Sequence, residues 1–172
     1  PLVALSFASC EKDNGEELSG DDIIQFEDPN FLKALLYVQE IEVYDADTDD
    51  YVPYTVDVDE NKDGQISVNE AKKVRGLYLC DYETEDSFNV RSMPEIKYFT
   101  SLESLHCYGN QLTSLDLSNN TTLTYLHCSD NQLTSLNLSK NTALTELWCD
   151  RNQLTSLDLS KNTALTYLHC SD

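Results

Sequence analysis

Between Asp59 and Glu70 the chain reads DENKDGQISVNE, and its oxygen-bearing residues recur at fixed intervals. Asp59, Asn61 and Asp63 hold positions 1, 3 and 5 of the segment, Gly64 position 6, Gln65 position 7, Ile66 position 8, Ser67 position 9 and Glu70 position 12. Oxygens at this spacing wrap a hard cation of the size of Ca2+, with Gln65 offering its backbone carbonyl and Glu70 both carboxylate oxygens. Glycine at the sixth position allows the sharp turn between the two halves. A structural Ca2+ held by Asp59, Asn61, Asp63, Gln65, Ser67 and Glu70 is therefore expected. An upstream run, Asp45-Ala-Asp47-Thr-Asp49-Asp50, has a similar alternation, but Asp50 stands where glycine is needed and Val56 where the twelfth-position acid should be. It reads as solvated acid.

Cysteine and histidine raise a second possibility. Cys107, Cys128, Cys149 and Cys170 recur at one spacing, and three of them follow a histidine, at 106, 127 and 169. Equivalent positions on stacked strands form a line, whereas structural zinc needs four ligands converging tetrahedrally, so a small buried core residue is the better reading. Neighbours on a strand point to opposite faces, which separates each imidazole from the adjacent sulfur and argues against a nucleophile pair. No Ser-His-Asp set, phosphate loop or glycosidase signature is legible, and no enzymatic activity is expected.

The elements that must position these groups follow from a period of 21 residues, beginning at Leu102, Leu123, Leu144 and Leu165, with the pattern LxxLxCxxNQLTSLxLSxNT. A fixed period implies stacked coils, each burying its apolar side against its neighbours. Short strands at LxxLxC point Leu126 and Cys128 inward and Tyr125, His127 and Ser129 outward. Asn110, Asn131 and Asn152 form an internal amide ladder, and Leu115, Leu117 and their equivalents complete the core. Val74, Leu77 and Leu79 match the same frame, so residues 74–101 form a longer, irregular capping coil before the regular coils of 102–172. Tyr78, His106, His127, Trp148 and His169 then share one outward column, flanked by Tyr125, Glu146 and Tyr167 on one side and Tyr108 and Asp150 on the other. These ten residues are the expected ligand-binding face.

The repeat resembles the short bacterial leucine-rich repeats of internalins and of Bacteroidetes surface proteins, strongly over 102–172 and loosely over 74–101. The resemblance implies an α/β solenoid with short parallel strands on a concave face that binds protein or other ligands. Residues 59–70 resemble an EF-hand loop, so residues 21–73 are expected to form a small, acidic, helical EF-hand-like cap. Asp28-Pro29-Asn30 followed by FLKALLYVQ predicts a helix ending near Gln39, the next stretch predicts an acidic connector of short extended pieces and loops, and a second helix spans Asn69 to Val74.

Charge and the N-terminus place the protein. The net charge is −20, with 24 acidic and 8 basic residues through Phe99 against 7 and 3 from Thr100 onward. Such a balance excludes nucleic acid as a partner, which needs a basic footprint. Within residues 1–20, an apolar stretch ends in Phe-Ala-Ser-Cys before an abrupt acidic turn, which resembles a signal-peptide remnant, a bacterial lipobox and a tether, with Cys10 lipidated. Membrane contact is expected only through that anchor, and the protein is expected to be a monomer at the bacterial cell surface, bound to the outer membrane. The alternative to a binding role is a spacer or accessory region of a larger extracellular protein, with a further module beyond Asp172.

Overall fold

An aspartate before a proline starts the first helix. In this computed structural model, which describes residues 17–37, 39–45, 50–79 and 88–171, Asp28 caps α1 (Pro29–Leu36) by accepting the Asn30 N–H at 2.9 Å. The helix ends at Leu36, short of the expected Gln39, because Tyr37 takes an extended conformation and returns its N–H to the Ala34 carbonyl. The chain then enters β1 (Gln39–Asp45), which pairs antiparallel with β2 (Asp50–Val56). The expected connector is thus a hairpin, in keeping with its β-branched and aromatic content. Asp45 and Asp50 are register partners at its closing end, and residues 46–49 lie outside the described residues, as do Cys10 and residues 1–16 of the expected anchor and tether.

The second helix, α2 (Val68–Ala71), is also shorter than expected. Ser67 caps it in a reciprocal box with Glu70, each side chain bonding to the other's backbone N–H. Lys72 still has helical dihedrals, but the chain then leads into β3 (Gly76–Tyr78) of the solenoid.

From β3 onward the 21-residue period becomes a sheet. β3, β4 (Ser104–His106), β5 (Tyr125–His127), β6 (Glu146–Trp148) and β7 (Tyr167–His169) form five parallel strands in sequence order. Their register aligns Leu77, Leu105, Leu126, Leu147 and Leu168 in one column. Each strand has three residues, and one further N–H per coil continues the ladder, as from Cys107 to the His127 carbonyl at 2.8 Å.

Two asparagine ladders hold the coils, one after each strand and one before the next. Asn131 donates through Nδ2 to the Cys107 carbonyl at 2.9 Å and accepts the Leu112 N–H at 3.0 Å, both in the preceding coil, and Asn110 and Asn152 repeat the arrangement. The second ladder was not read from the sequence, although its signal is the invariant asparagine of LSxNT. Asn120, Asn141 and Asn162 each donate to two carbonyls, Asn141 to Leu117 at 3.0 Å and to Asn120 at 2.9 Å. Between the ladders, Asp116, Asn137 and Asp158 accept N–H groups from Ser118, Ser139 and Ser160 at 2.9–3.1 Å, forming local Asx turns. Gly109, Asp130 and Arg151, one per coil, take left-handed φ of 67°, 52° and 50°.

The core runs without interruption from cap to coils. Phe31 of α1 lies 6.3 Å from Phe99 and 5.4 Å from Phe26, and the second carboxylate oxygen of Asp28 accepts the N–H groups of Arg91 and Ser92. Met93, Ile96, Phe99, Leu102, Leu105, Leu117, Leu126 and Leu138 are all buried. Burial falls at the last strand, where Leu168 is 43% exposed against 0% for Leu126.

Candidate functional site

Register places Tyr78, His106, His127, Trp148 and His169 in one column of the sheet, as the repeat frame requires. The rings are not the exposed row that strand alternation suggests. They cover one another: Tyr78 stacks on His106 at 4.3 Å, His106 on Tyr125 at 4.5 Å, and Tyr108 on His127 at 4.6 Å, all within about 21° of parallel. Trp148 tilts against His127 at 5.5 Å, Tyr167 at 4.8 Å and His169 at 5.1 Å. Offset ring pairs at these separations are individually favourable, which is how the face tolerates so much aromatic surface.

Packing changes the histidines' chemistry. His106 Nδ1 and Trp148 Nε1 are buried without a hydrogen-bond partner. Burial, with His127 nearby, holds the His106 imidazole down to about 3, so it is neutral near pH 7. His127 is also held low, by burial first, while the carboxylates of Asp150 and Asp130 pull the other way.

A polar cluster sits beside Trp148. Strand alternation predicts Ser129 facing outward, yet it is buried, together with its partner Asp150 in the next coil. Its hydroxyl donates to Asp150 Oδ1, which also meets His169 Nδ1 at 3.0 Å. Burial pushes the Asp150 carboxyl up, but the bonds from Ser129 and His169 outweigh it and keep the group below its ordinary range. His169 Nε2 lies 3.5 Å from Ser171 Oγ, so the fold brings together an Asp-His-Ser arrangement that the sequence concealed. The Ser171 contact is at the outer limit of a hydrogen bond, and the backbone there belongs to the ladder, with the Arg151 N–H bonded to the Ser171 carbonyl. The cluster orients His169 beside the indole. Arg151 answers Asp130 at 3.2 Å and stands 4.0 Å from Asp150.

The acidic loop has the backbone its glycine and spacing demand. Gly64 has φ +78° and donates to Asp59 Oδ2 at 2.8 Å, while the Asp63 N–H meets Asn61 Oδ1 at 2.9 Å and the Gln65 N–H meets Asp63 Oδ1 at 2.8 Å. Glu70 accepts from both the Ser67 N–H and hydroxyl, at 2.9 and 2.8 Å. Burial pushes the Glu70 carboxyl up, yet these bonds, with backbone N–H groups of Asn61 and Glu60, leave it below its ordinary range. Carboxylates here bond N–H groups of their own loop, and among the described residues no three His, Cys, Asp or Glu side chains converge as a metal cluster. Ile66 is fully buried, and its carbonyl accepts the Ile24 N–H at 2.9 Å beside an antiparallel bridge of Ile23 with Ser67. That pairing from residues 22–24 supports the loop from outside its own segment.

Three of the cysteines behave as core. Cys107, Cys128 and Cys149 are buried and Cys170 exposed, all with free thiols. Burial pushes the Cys128 thiol well above its ordinary range and Cys149 up to about 11, which suppresses the thiolate a nucleophile needs.

Residues 121–162 match the family model described as Leucine Rich repeats (2 copies). The fold is a leucine-rich-repeat solenoid. Among solved structures it is similar to the functional domain of InlJ from Listeria monocytogenes, described as including a cysteine ladder: 41% identity, TM-score 0.57, covering 62% of this chain and 22% of that one. It is also similar to the internalin inlF from Listeria monocytogenes, with 24% identity and TM-score 0.54, covering 83% of this chain and 42% of that one. The chain thus spans less than half the length of either. No curated protein matches it.

Proposed function

We propose that this is a non-enzymatic binding protein of the bacterial cell surface, lipid-anchored at Cys10, whose ring-covered sheet captures an extracellular protein or glycan. One observation carries the reading: all three histidines and the single tryptophan of the chain occupy one register column across successive coils, with tyrosines leaning on them. Large rings at the centre of an interface supply most of its binding energy. The likeness to internalin structures supports a binding role over catalysis. Glycan and protein arrays probed with the wild type and with a Trp148→Ala, His127→Ala variant test it. Capture by the wild type and at least tenfold loss in the variant, with an unchanged far-ultraviolet spectrum, is expected; equal capture would favour a spacer.

Within the same proposal, the loop holds a structural Ca2+ through Asp59, Asn61, Asp63, the Gln65 carbonyl, Ser67 and Glu70. The donor set is all oxygen, as a hard cation requires, and both the Gly64 turn and the bridge at Ile23 and Ser67 fit the loop. When bound, the ion would supply local charge neutralisation where the cap meets the first coil. Adding Ca2+ to about 100 times its Kd should stabilise the protein by about 2.7 kcal/mol, read as a rise in melting temperature that Asp63→Ala abolishes. No rise at millimolar Ca2+ would remove the metal from the proposal.

A further inference from the structure

At two of the four steps between coils the rings of the sheet meet on a diagonal, and at the other two the diagonal falls on Ser104 and on Glu146. A tyrosine in the first outward column leans on the ring in the second column of the preceding coil: Tyr125 on His106 and Tyr167 on Trp148. The same step taken from His127 falls on Glu146, a carboxylate set where the neighbouring coils place a ring. Glu146 stands in register between Tyr125 and Tyr167, and Trp148 lies two residues along on the same face of β6. Strands about 4.8 Å apart, with alternate residues about 6.6 Å apart along each, put that carboxylate within one side-chain length of three rings.

What this patch offers selects its ligand. The Trp148 N–H is buried, so the indole offers no donor to a ligand. Glu146 presents oxygens that only accept, Asp150 beside it is buried and taken up by Ser129 and His169, and the nearby cation Arg151 is engaged by Asp130. Ring faces attract cations, and a planar guanidinium combines stacking with paired bonds to a carboxylate. A chain of net charge −20 also steers basic partners toward itself.

We infer that Glu146, Trp148 and the flanking Tyr125 and Tyr167 form a subsite for a guanidinium, filled by an arginine of an extended segment on a partner protein. The inference rests on the sheet-binding reading above and narrows its partner to a basic protein segment. It also assigns coil-specific roles: β6 is the strand that discriminates, and the other coils supply ring surface around it.

Trp148 is the only tryptophan, so its emission reports the subsite directly. The probe is an Arg-Gly-Arg-Gly-Arg peptide titrated at physiological ionic strength, with a citrulline peptide of the same length as the uncharged match. The arginine peptide should shift the emission, bind at least tenfold more tightly than the citrulline peptide, and lose at least tenfold in affinity with Glu146→Gln. Asp158→Asn serves as the charge control, since Asn137 already makes the equivalent turn one coil earlier, and it should leave affinity unchanged. The subsite is overturned if the arginine peptide leaves the emission unmoved, if Glu146→Gln binds like the wild type, or if Asp158→Asn weakens binding as much. A neutral oligosaccharide that shifts the emission equally in the wild type and Glu146→Gln would also overturn it, while leaving the ring face as a binding surface.

Discussion

His106 shows what packing does to one residue. Between Tyr78 and Tyr125 its imidazole is a flat, neutral filler, and its Nδ1 has no partner to compensate protonation. The ordinary value is 6.5 and the folded value about 3, so between these pH values the unfolded chain binds a proton that the native state does not. The stabilisation is therefore complete above about pH 6.5 and is lost as pH falls toward 3, with a slope of at most about 1.4 kcal/mol per pH unit. His106→Phe keeps the ring stack and removes the titration. Urea unfolding at about pH 7 and about pH 5 should show the wild type losing about 2 kcal/mol more than the variant; parallel losses would mean the imidazole is accessible. Sequence placed this histidine on the outward face correctly, but burial by neighbouring rings depends on side-chain tilt across coils, which one coil's sequence does not contain.

At the scale of elements, each strand is too short to be stable alone and owes its existence to the coils beside it. Leu126 has neighbours on both sides and is fully buried, whereas Leu168 in β7 is 43% exposed. Leu126→Ala should cost about 2–5 kcal/mol in a chemical denaturation experiment, and Leu168→Ala less than about 1 kcal/mol. Equal costs would contradict stacking as the source of stability. The coils were legible because period, leucine spacing and amide positions all point to one packing solution. The cap was less so. The support of Ile66 by residues 22–24 comes from a pairing between distant segments that no local pattern announces.

At the scale of the molecule, contacts run from coil to coil, so stability is a sum of neighbour interfaces and varies along the array. Hydrogen exchange should reveal that gradient. The Cys128 N–H, bonded to the Trp148 carbonyl at 2.8 Å in the buried middle, should exchange at least tenfold more slowly than the Cys149 N–H, bonded to His169 at 2.9 Å beside the exposed last strand. The reverse order would show that the cap is not where protection originates. Asp28 joins α1 to the chain at Arg91 and Ser92, and Phe31 packs near Phe99, so cap and solenoid share one core.

By itself the sequence determined the coil: its length, its inward leucines and cysteines, the asparagine at its bend, and the column that Tyr78, His106, His127, Trp148 and His169 occupy. Those features repeat, and a repeated pattern allows one stacking register. Only the tertiary structure decided how the decorated face is arranged, because that depends on contacts between coils whose residues differ. It turned an exposed row into overlapping rings, buried Ser129 against Asp150, and brought His169 to the same carboxylate.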